Sequence, residues 1–403
     1  MKSVELFAGL GGLAMGCELA GFRPKAVVEW NKWACETIRE NQERDYPLVR
    51  EWPLIEGDVR DFDWSMMDGP IDLVAGGPPC QPFSVGGKHR ANGDRRDMFP
   101  AAVDFVRRLA PRAFIFENVK GLTRSSFANY FQYILLQLEF PEVMARSGEG
   151  WEDHLRRLQV EKSSGRRHRS GLTYNVVATL ANAADYGVPQ RRERVFIVGF
   201  RSDLNVTWSF PRPTHGLDAL LFDQWVTGDY WRRHGMPRPP VPERFVERAR
   251  ALEQSLLPPD SLPWRTVRDA LVGLPDPEAP EAASILDHRF QPGARAYPGH
   301  TGSPLDLPAK TLKAGDHGVP GGENMMVKDD GSVRYFTARE SARLQTFPDG
   351  YKLHGTWSEA MRQIGNAVPV ALVRHVASSV ASRLIEAEAR QLTCGRESGR
   401  ASA

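Results

Sequence analysis

The sequence contains few cysteines and no long uninterrupted run of apolar residues. Only four of its 403 residues are cysteines, and they form neither a CxxC pair nor a cluster with histidines. We therefore expect neither a disulfide framework nor a metal site, and the low count is typical of a reducing compartment. No stretch approaches the roughly 18 apolar residues of a membrane span, and the N-terminus lacks a signal-peptide pattern. These absences predict a cytoplasmic protein that does not bind a membrane.

The chain also has little net charge. Its 52 basic and 50 acidic side chains leave only +2, so the total gives no indication of a polyanionic partner. The basic residues are dominated by arginine, since 10 are lysines and therefore 42 are arginines. Two explanations fit this bias: a coding preference for arginine, or many contacts with phosphates and bases, for which the planar guanidinium group is well suited. With 41% hydrophobic and 25% charged residues, the composition is that of a globular protein and excludes a disordered or collagen-like chain.

The first 200 residues alternate between strand-like and helix-like segments. Such alternation predicts an α/β fold with a mostly parallel sheet and helices on both faces. Two late strands, near residues 174–180 and 194–200, could form an antiparallel edge. After about residue 200 the alternation stops, and proline, glycine, arginine and tryptophan become frequent, which predicts a smaller irregular domain.

These patterns divide the chain into four parts. The predicted parts are a first domain at 1–200, an irregular domain at 201–335, a C-terminal segment at 336–390 that returns to the first domain, and a flexible tail at 391–403. The final long helix is expected from about Val368 to Ala389. A polar stretch at 161–170 is typical of a surface-loop insertion.

A glycine-rich turn joins the first strand to the first helix. The turn contains Gly9, Gly11 and Gly12. Glycines in this position let the backbone approach a ligand closely at a helix N-terminus. Glu29, at the end of the second strand, can accept hydrogen bonds from both hydroxyls of a ribose. Trp30 either stacks on an adenine or packs in the interior, and Asp58 can accept from an exocyclic amine. The pattern predicts a nucleoside cofactor without separating NAD from S-adenosylmethionine.

A buried strand runs into a proline-rich loop that contains Cys80. Three prolines restrict this loop at the carboxyl edge of the sheet, where parallel α/β folds bind their ligands. A lone cysteine is often a small buried hydrophobe, but this rigid and polar setting favours a nucleophile.

Three charged residues follow at the ends of later strands. Glu117 is expected to face the same crevice as Cys80, either as an acid and hydrogen-bond donor or as the cap of the following helix. Arg192 and Arg194 are two residues apart on a predicted strand and would share one face. Such a pair suits phosphate or carbonyl oxygens, or forms a solvated salt-bridge surface.

Taken in order, these segments closely resemble the DNA (cytosine-5) methyltransferases. The resemblance spans residues 1–200 and about 334–385, and the ordered set is far more specific than any one motif. Its motifs are Glu5-Leu-Phe-Ala-Gly9-Leu-Gly11-Gly12, Glu29-Trp30, Gly57-Asp58, Gly77-Pro-Pro-Cys80-Gln-Pro-Phe-Ser84, Glu117-Asn118-Val119, Gln190-Arg-Arg192-Glu-Arg194, Arg339-Glu-Ser-Ala-Arg343-Leu-Gln345-Thr-Phe-Pro348 and Gln363-Ile-Gly365-Asn366-Ala-Val368-Pro369. Glu5 departs from the aspartate that the family often carries, and the stretch between Glu117 and Gln190 is longer than in compact members.

The resemblance implies a Rossmann-like methyltransferase sheet that binds S-adenosylmethionine. The implied cofactor-binding residues are Phe7, Gly9, Gly11, Gly12, Glu29, Trp30, Asp58, Val59, Pro79, Asn366 and Val368. The first domain would then be the catalytic and cofactor-binding domain, and residues 201–335 the target-recognition domain.

The resemblance also implies the chemistry of methyl transfer. Adding the Cys80 thiolate to C6 of cytosine makes C5 nucleophilic enough to attack the methyl sulfonium. Glu117 would hold the N3/N4 edge and supply a proton at N3, and Arg194 would hold the O2 side. Arg192 would help to position the loop and backbone. Loss of the C5 proton and expulsion of Cys80 then release 5-methylcytosine.

Double-stranded DNA is the implied partner, and the target base has to be flipped out of the helix. The implied DNA-binding residues are Ser84, Lys88, Arg90, Arg95, Arg96 and Gln190. Residues 231–250, with six arginines against two glutamates, and the stretch around Lys310, Thr311 and Lys313 are further candidates. Residues 1–75 carry 8 basic and 14 acidic side chains, so the rest of the chain carries +8. This distribution favours DNA in the later part of the chain and binding that weakens as salt rises.

Three other functions compete with this interpretation. The same chemistry could act on RNA, such as tRNA; the chain could be a catalytically silent DNA-binding relative; or the glycine turn alone could belong to an NAD-dependent oxidoreductase. The intact Cys80, Glu117 and cofactor glycines favour an active methyltransferase, and the sizeable middle domain favours DNA. The resemblance further implies a monomer that protects DNA from a partner restriction endonuclease.

Overall fold

The structure, a computed structural model, describes residues 1–79, 97–164, 171–314 and 324–401. The chain is divided between two units. Unit 1 comprises Met1–Ala181, Glu193–Pro211 and Val373–Ala403, and unit 2 comprises Asn182–Arg192 and Arg212–Leu372. The six residue positions predicted in and around the Cys80 loop, which are Cys80, Ser84, Lys88, Arg90, Arg95 and Arg96, lie outside the described residues.

Unit 1 contains one large sheet and the helices that cover it. Its strands are β1 (Lys2–Leu6), β2 (Arg23–Glu29), β3 (Leu54–Glu56), β4 (Leu73–Gly76), β5 (Ala113–Val119), β6 (Tyr174–Asn182) and β7 (Glu193–Arg201). Its first five helices are α1 (Gly12–Leu19), α2 (Lys32–Glu43), α3 (Phe99–Leu109), α4 (Ala128–Glu139) and α5 (Trp151–Ser163). Strands β1, β4 and β5 are buried along almost their whole length, as expected when helices cover both faces of a parallel sheet.

The strand order is β3-β2-β1-β4-β5-β7-β6. β1 pairs in parallel with both β2 and β4, and β7 is antiparallel to β5. The order therefore reverses between β1 and β4, and the carboxyl ends of the strands beside such a switch point form the crevice where open α/β sheets bind ligands. The predicted fold class is confirmed, including the antiparallel late strand.

Local sequence signals explain several helix boundaries. Asn31 is the N-cap of α2, and its side chain accepts a hydrogen bond from the Ala34 amide at 3.1 Å. Helix α5 ends at Ser163, so the stretch predicted as a loop at 161–170 begins inside a helix. Residues 165–170 of that stretch lie outside the described residues.

Unit 2 has little regular structure, in line with the irregular domain that the composition predicts. Its strands are β8 (His215–Gly216), β9 (Leu262–Pro263), β10 (Ser303–Pro304), β11 (Met325–Val327) and β12 (Val333–Tyr335). Its helices are α6 (Leu217–Leu221), α7 (Asp229–Arg233), α8 (Val246–Glu253), α9 (Val267–Leu271), α10 (Ala338–Leu344) and α11 (Trp357–Asn366), with a π-helix at Phe222–Thr227. One small core forms around Leu220, Leu221, Trp225, Tyr230 and Trp231.

The units do not follow the predicted boundaries. Residues 336–372, predicted to return to the first domain, belong to unit 2, where α10 contacts both α9 and α11. Hydrophobic periodicity identifies such helices but not the unit on which they pack. The last helix, α12 (Val370–Ala401), is also longer at its C-terminal end than the predicted segment ending near Ala389.

One helical stretch, Trp357–Thr393, is long and apolar enough to cross a membrane by length and composition alone. Of its most apolar window, 56% is buried inside the protein. A helix of this kind is also found in the core of proteins that do not span a membrane, so the stretch gives little support for a membrane span.

Candidate active site

The glycine turn after β1 adopts backbone angles that suit close approach of a ligand. Gly9 and Gly11 have φ values of 56° and 91°, and Gly11 forms the N-cap of α1. A Cβ atom added at Gly9 would meet no other atom within 4 Å, so the turn faces open space. Phe7 also has a positive φ, 54°, which is rare for a bulky residue and is typical of functional sites.

Glu29 fixes the shape of this turn. One carboxylate oxygen accepts a hydrogen bond from the Gly9 amide at 2.7 Å, and the other accepts from the Asn31 amide at 2.7 Å. Burial raises the pKa of Glu29, although the two amides act in the opposite direction. A carboxylate has about four acceptor positions, so these contacts leave acceptor capacity for the ribose hydroxyls proposed from the sequence.

Two other predicted cofactor residues lie near the ends of β2 and β3. Trp30 is 71% exposed, which excludes the interior packing role and leaves its ring available for stacking. Asp58 follows β3, as expected, and forms an ion pair with Arg60. That cation lowers the pKa of Asp58, so the carboxylate is an acceptor, as the predicted contact with an amine requires. Val59 is buried beside it.

The start of the Cys80 loop lies against the end of β5. The Asn118 side chain donates a hydrogen bond to the Pro78 carbonyl at 2.8 Å. A Cβ atom at Gly77 would lie 3.3 Å from the Glu117 carboxylate, so only a glycine permits this approach without displacing a neighbour. The Pro79 carbonyl accepts from the Met98 amide at 3.1 Å. The residues that lead into the Cys80 loop are thus placed beside Glu117 and Asn118.

Glu117 and Arg194 form a buried ion pair. The Arg194 Nε atom lies 2.7 Å from the Glu117 carboxylate, and both side chains are largely shielded from solvent. Burial lowers the pKa of Arg194, and the Glu117 charge counteracts this effect. Arg194 also donates to the Glu193 carbonyl at 2.8 Å. The pairing replaces the helix-capping alternative for Glu117 and brings together two of the predicted catalytic residues.

The predicted shared face of Arg192 and Arg194 is wrong. Strand β7 begins at Glu193, so the alternation of side chains does not extend to Arg192. Arg192 belongs to unit 2, is fully buried and donates to the carbonyls of Leu312, Gly365 and Ala367 at 2.6–2.9 Å. It positions backbone, as the resemblance implied, but it does so inside unit 2.

Gln190 is likewise an internal residue of unit 2. It is fully buried, its amide donates to the Leu344 carbonyl at 3.3 Å, and its carbonyl accepts from the Leu312 amide at 3.0 Å. The structure therefore does not support the predicted contact between Gln190 and DNA. The motif gives the order of residues along the chain, and that order does not report burial.

Asn366 and Val368 also lie in unit 2. Asn366 is exposed at the end of α11, between the two carbonyls of Gly365 and Ala367 that Arg192 holds, whereas Val368 is buried. Arg192 thereby fixes the backbone on both sides of Asn366. The cofactor roles of Asn366 and Val368 stay predictions.

The arginine-rich stretch at 231–250 is less available for DNA than its composition suggests. Arg232, Arg233 and Arg248 are each in an ion pair with an aspartate. Arg244 lies over the Phe245 ring. Elsewhere in unit 2, the Thr311 hydroxyl donates to the Arg191 carbonyl at 2.7 Å, and the glycine-rich run that follows it, at 315–323, lies outside the described residues.

Comparisons with known proteins agree with this geometry. Residues 1–141, 168–221 and 300–382 match the family model for C-5 cytosine-specific DNA methylase. The type II methyltransferase M.NgoMIV of Neisseria gonorrhoeae is 30% identical over 394 residues, which cover 96% of this chain and 97% of that protein. The type II methyltransferase M.PspPI of Psychrobacter sp. is 30% identical over 385 residues, covering 94% of this chain and 78% of that protein.

The chain belongs to the C-5 cytosine-specific DNA methylase family.

Membership confirms the predicted family and the predicted enzyme class, a DNA cytosine-5 methyltransferase. Among solved structures, the Dnmt2 methyltransferase of S. pombe superposes with a TM-score of 0.54 at 17% identity, covering 95% of this chain and 99% of that chain. At this identity the likeness shows the fold alone, and it is a methyltransferase fold.

Two internal segments of this methylase fall outside the family match. Residues 142–167 contain α5, and residues 222–299 contain α7, α8 and α9. The sequence indicated the first insertion by its length and polar stretch, but it did not indicate a packed helix there.

Sequence reasoning assigned no role to several residues that hold the site. Asn118 was recognised only as part of a motif, yet its amide holds the start of the Cys80 loop. Tyr130 and Asp97 form a hydrogen bond next to the end of that loop. No motif contains them, because their contact joins residues 33 positions apart.

Proposed function

We propose that the protein transfers a methyl group from S-adenosylmethionine to C5 of a cytosine flipped out of a specific duplex DNA sequence. The observation that carries this proposal is the arrangement at the carboxyl ends of β1, β2, β4 and β5. There the glycine turn, Glu29, the start of the Cys80 loop and the Glu117–Arg194 pair all lie at one edge of the same sheet, Arg194 being at the start of the antiparallel β7.

The residues after β1, β2 and β3 fit S-adenosylmethionine. The open turn at Gly9, the spare acceptor positions of Glu29 and the exposed ring of Trp30 match the amino acid, ribose and adenine parts of such a molecule. Asp58 supplies an acceptor beside Val59, and Phe7 and Pro79 flank the same strand ends. The bound molecule supplies an electrophilic methyl group on a sulfonium centre.

The proposed chemistry at cytosine begins with Cys80. Its thiolate adds to C6, which forms a C–S bond and moves electron density to C5, the atom that takes the methyl group. Loss of the C5 proton and breakage of the C–S bond then restore the aromatic ring and the free thiolate. Without the adduct, C5 is too weak a nucleophile to react.

Glu117 and Arg194 would bind the polar edge of the flipped base. The carboxylate, held by Arg194, can accept a hydrogen bond from the cytosine N4 amine and can carry the proton for N3. The guanidinium has five N–H donors, of which the contacts with Glu117 and the Glu193 carbonyl use two. The others can bind the O2 atom of the base, where negative charge develops.

The relatives support a wider role. M.NgoMIV and M.PspPI are named type II methyltransferases, so we propose that this protein acts as a cytoplasmic monomer and protects DNA from a partner restriction endonuclease. The basic residues predicted in and around 84–96 would contact the DNA phosphates.

A trapping experiment tests the mechanism. Duplex DNA with 5-fluorocytosine at the target position should form a cofactor-dependent covalent complex with the wild-type protein and none with Cys80→Ser, because fluorine cannot leave as the C5 proton does. Bisulfite sequencing of a plasmid from expressing cells identifies the target. If the wild type traps no such DNA while it methylates tRNA, the proposed substrate is wrong; if it binds no S-adenosylhomocysteine, the proposed cofactor is wrong.

A further inference from the structure

One loop of unit 2, at residues 289–300, is anchored where it begins. The buried Arg339 side chain donates a hydrogen bond to the Leu286 carbonyl at 3.0 Å. His288 is only 1% exposed, and its ring forms a hydrogen bond with the Thr337 hydroxyl at 2.9 Å. The chain therefore enters the loop from a buried and well-held position.

The loop is also anchored where it ends. The Thr301 hydroxyl accepts a hydrogen bond from the Lys310 ammonium group at 2.9 Å. A Cβ atom added at Gly302 would lie 3.2 Å from the Met326 backbone, so the chain here lies directly against β11. The next two residues form β10, which pairs in parallel with β11. Both ends of the loop are thus fixed by contacts within unit 2.

The last four residues of the loop form a tight turn. The His300 amide donates to the Tyr297 carbonyl at 2.8 Å, and the Tyr297 amide donates to the His300 carbonyl at 3.3 Å. Between them lie Pro298 and Gly299, with a Gly299 φ of 84°, which are the residues that a type II turn prefers. The rings of Tyr297 and His300 lie 4.3 Å apart. Because the turn is already formed, binding a ligand there requires little further ordering.

The loop carries positive charge and has no acidic residue beside it in the sequence. Residues 289–304 include two arginines and no aspartate or glutamate. Arg289 and Arg295 are both exposed, and neither forms an ion pair or a side-chain hydrogen bond with another described residue. In the 231–250 stretch, by contrast, three arginines are paired with aspartates. Exposed cations without a counter-charge favour a polyanion as their partner.

Exposed aromatic rings accompany the two arginines. Tyr297 is 54% exposed and Phe290 is 38% exposed. An arginine can donate two hydrogen bonds to the major-groove edge of a guanine, and a tyrosine ring offers an apolar face with a polar end. A second copy of this chain would be a poorer partner, because its net charge of +2 offers no excess of acidic groups. The chemistry of the loop therefore fits duplex DNA.

We propose that the loop at 289–300 reads the sequence of the duplex DNA. Arg295 and Tyr297, at and just before the turn, contact base edges, and Arg289, next to the buried anchor, contacts a phosphate. The inference depends on the proposed function, because it assumes that DNA is the substrate. All but the last residue of the loop lies in the segment 222–299, which the family match does not include, so the reading contacts belong to this chain. The anchored ends hold these side chains in place, as recognition of bases requires.

Binding measurements separate the two kinds of contact. With the full-length protein and S-adenosylhomocysteine, Arg295→Gln and Tyr297→Ala should weaken binding of a duplex with the target sequence by about fivefold to a hundredfold and binding of a scrambled duplex much less. Arg289→Gln should weaken both duplexes alike and reduce the slope of log Kd against log salt by about 1. Arg156→Gln removes a charge from a side chain of α5 that is 71% exposed, and this control should change neither quantity.

Methylation measurements test the same loop during catalysis. Bisulfite sequencing of plasmids from expressing cells first defines the target of the wild type. Arg295→Gln and Tyr297→Ala should then methylate additional sequences and show a raised KM for DNA. Their single-turnover rates at saturating DNA should stay within about twofold of wild type, because neither residue would touch the reacting atoms. Both side chains are exposed, so thermal unfolding should be unchanged and a loss of folding would not account for the effect.

Three outcomes would overturn the proposal. The first is an unchanged affinity and an unchanged set of targets in both Arg295→Gln and Tyr297→Ala. The second is an equal loss in Arg156→Gln. The third is a wild-type dimer that these loop variants convert to a monomer without loss of DNA affinity, since the loop would then be an interface between copies. A wild type that methylates no DNA overturns the proposed function instead, and it does so before any variant is compared.

Discussion

Replacing Glu5 by glutamine should make the free energy of unfolding less dependent on pH between about 4.5 and 7. Glu5 lies in β1, directly before Leu6, the last residue of that strand, and it is only 1% exposed. Ser3 and Cys17 are its polar neighbours, yet neither carboxyl oxygen has a hydrogen-bond partner among the described residues. An ionised carboxylate in this position would lose its hydration without a compensating contact.

The size of the effect follows from the pKa of this carboxyl. Burial raises the pKa of Glu5 from an ordinary 4.5 to about 7. Because the folded protein binds this proton more tightly than the unfolded chain, Glu5 contributes fully to stability below about pH 4.5, and that contribution is lost as the pH rises to about 7. Each pKa unit corresponds to about 1.4 kcal/mol, so the free energy of unfolding should fall by roughly 3 kcal/mol across this window.

Glu5→Gln keeps the shape of the side chain and cannot ionise. Urea unfolding of both proteins between pH 4.5 and 8 gives the difference in their free energies of unfolding. The contributions of the other titrating groups are nearly the same in both proteins and therefore cancel in this difference. This difference should shift by roughly 3 kcal/mol in favour of the variant as the pH rises. Glu51→Gln, at a side chain that is 80% exposed, is the control and should show no such trend. A difference between wild type and Glu5→Gln that stays constant with pH would refute the assignment of a buried, protonated carboxyl.

Three further predictions concern Glu29, Arg192 and one exposed ion pair. Glu29→Gln replaces a charged acceptor that holds the glycine turn, a contact of about 1.5–3 kcal/mol, so calorimetry should show S-adenosylhomocysteine binding weakened by roughly tenfold to a hundredfold; unchanged affinity would contradict its role. Arg192→Met leaves three buried carbonyls without their donor and should lower the free energy of unfolding by about 3 kcal/mol or more, whereas Arg191→Met, at an exposed neighbour, should not. Lys120 and Glu193 form an exposed ion pair, and replacing either one by a residue of opposite charge should lower the free energy of unfolding by no more than about 1 kcal/mol. Exchanging the two residues should restore that free energy; a larger loss in a single variant would show that this pair is not a simple surface contact.

The sequence predicts most of the sheet because each strand carries a local signal. β1, β4 and β5 are short apolar runs that end in glycine or a polar motif, and parallel strands bring their carboxyl ends to one edge. The placement of the glycine turn, Glu29 and Glu117 at that edge follows from this rule alone. The ion pair between Glu117 and Arg194 does not, since it depends on β7 inserting antiparallel beside β5.

Contacts between distant segments are the part that the sequence cannot supply. The α5 insertion is polar along much of its length, so its packing on α4 rests on Trp151, His154 and Leu158, which form no recognisable motif. The same limit applies to residues 336–372, whose helices are predictable but whose unit is not. Periodicity reports which face of a helix is apolar, and it carries no information about the partner of that face.

The short motif from Gln190 to Arg194 shows how one run of residues can serve two parts of a fold. The chain passes from unit 2 to unit 1 between Arg192 and Glu193, and β7 starts at that point. Before it, Gln190 and Arg192 are fully buried and bind backbone groups, which suits side chains with several donors. After it, Arg194 follows the alternation of a strand and reaches Glu117. A lysine at Arg192 could not replace the guanidinium, because three carbonyls in different directions require its planar array of N–H groups. The two arginines are therefore needed for different reasons: Arg192 for the integrity of unit 2, and Arg194 for the buried ion pair with Glu117.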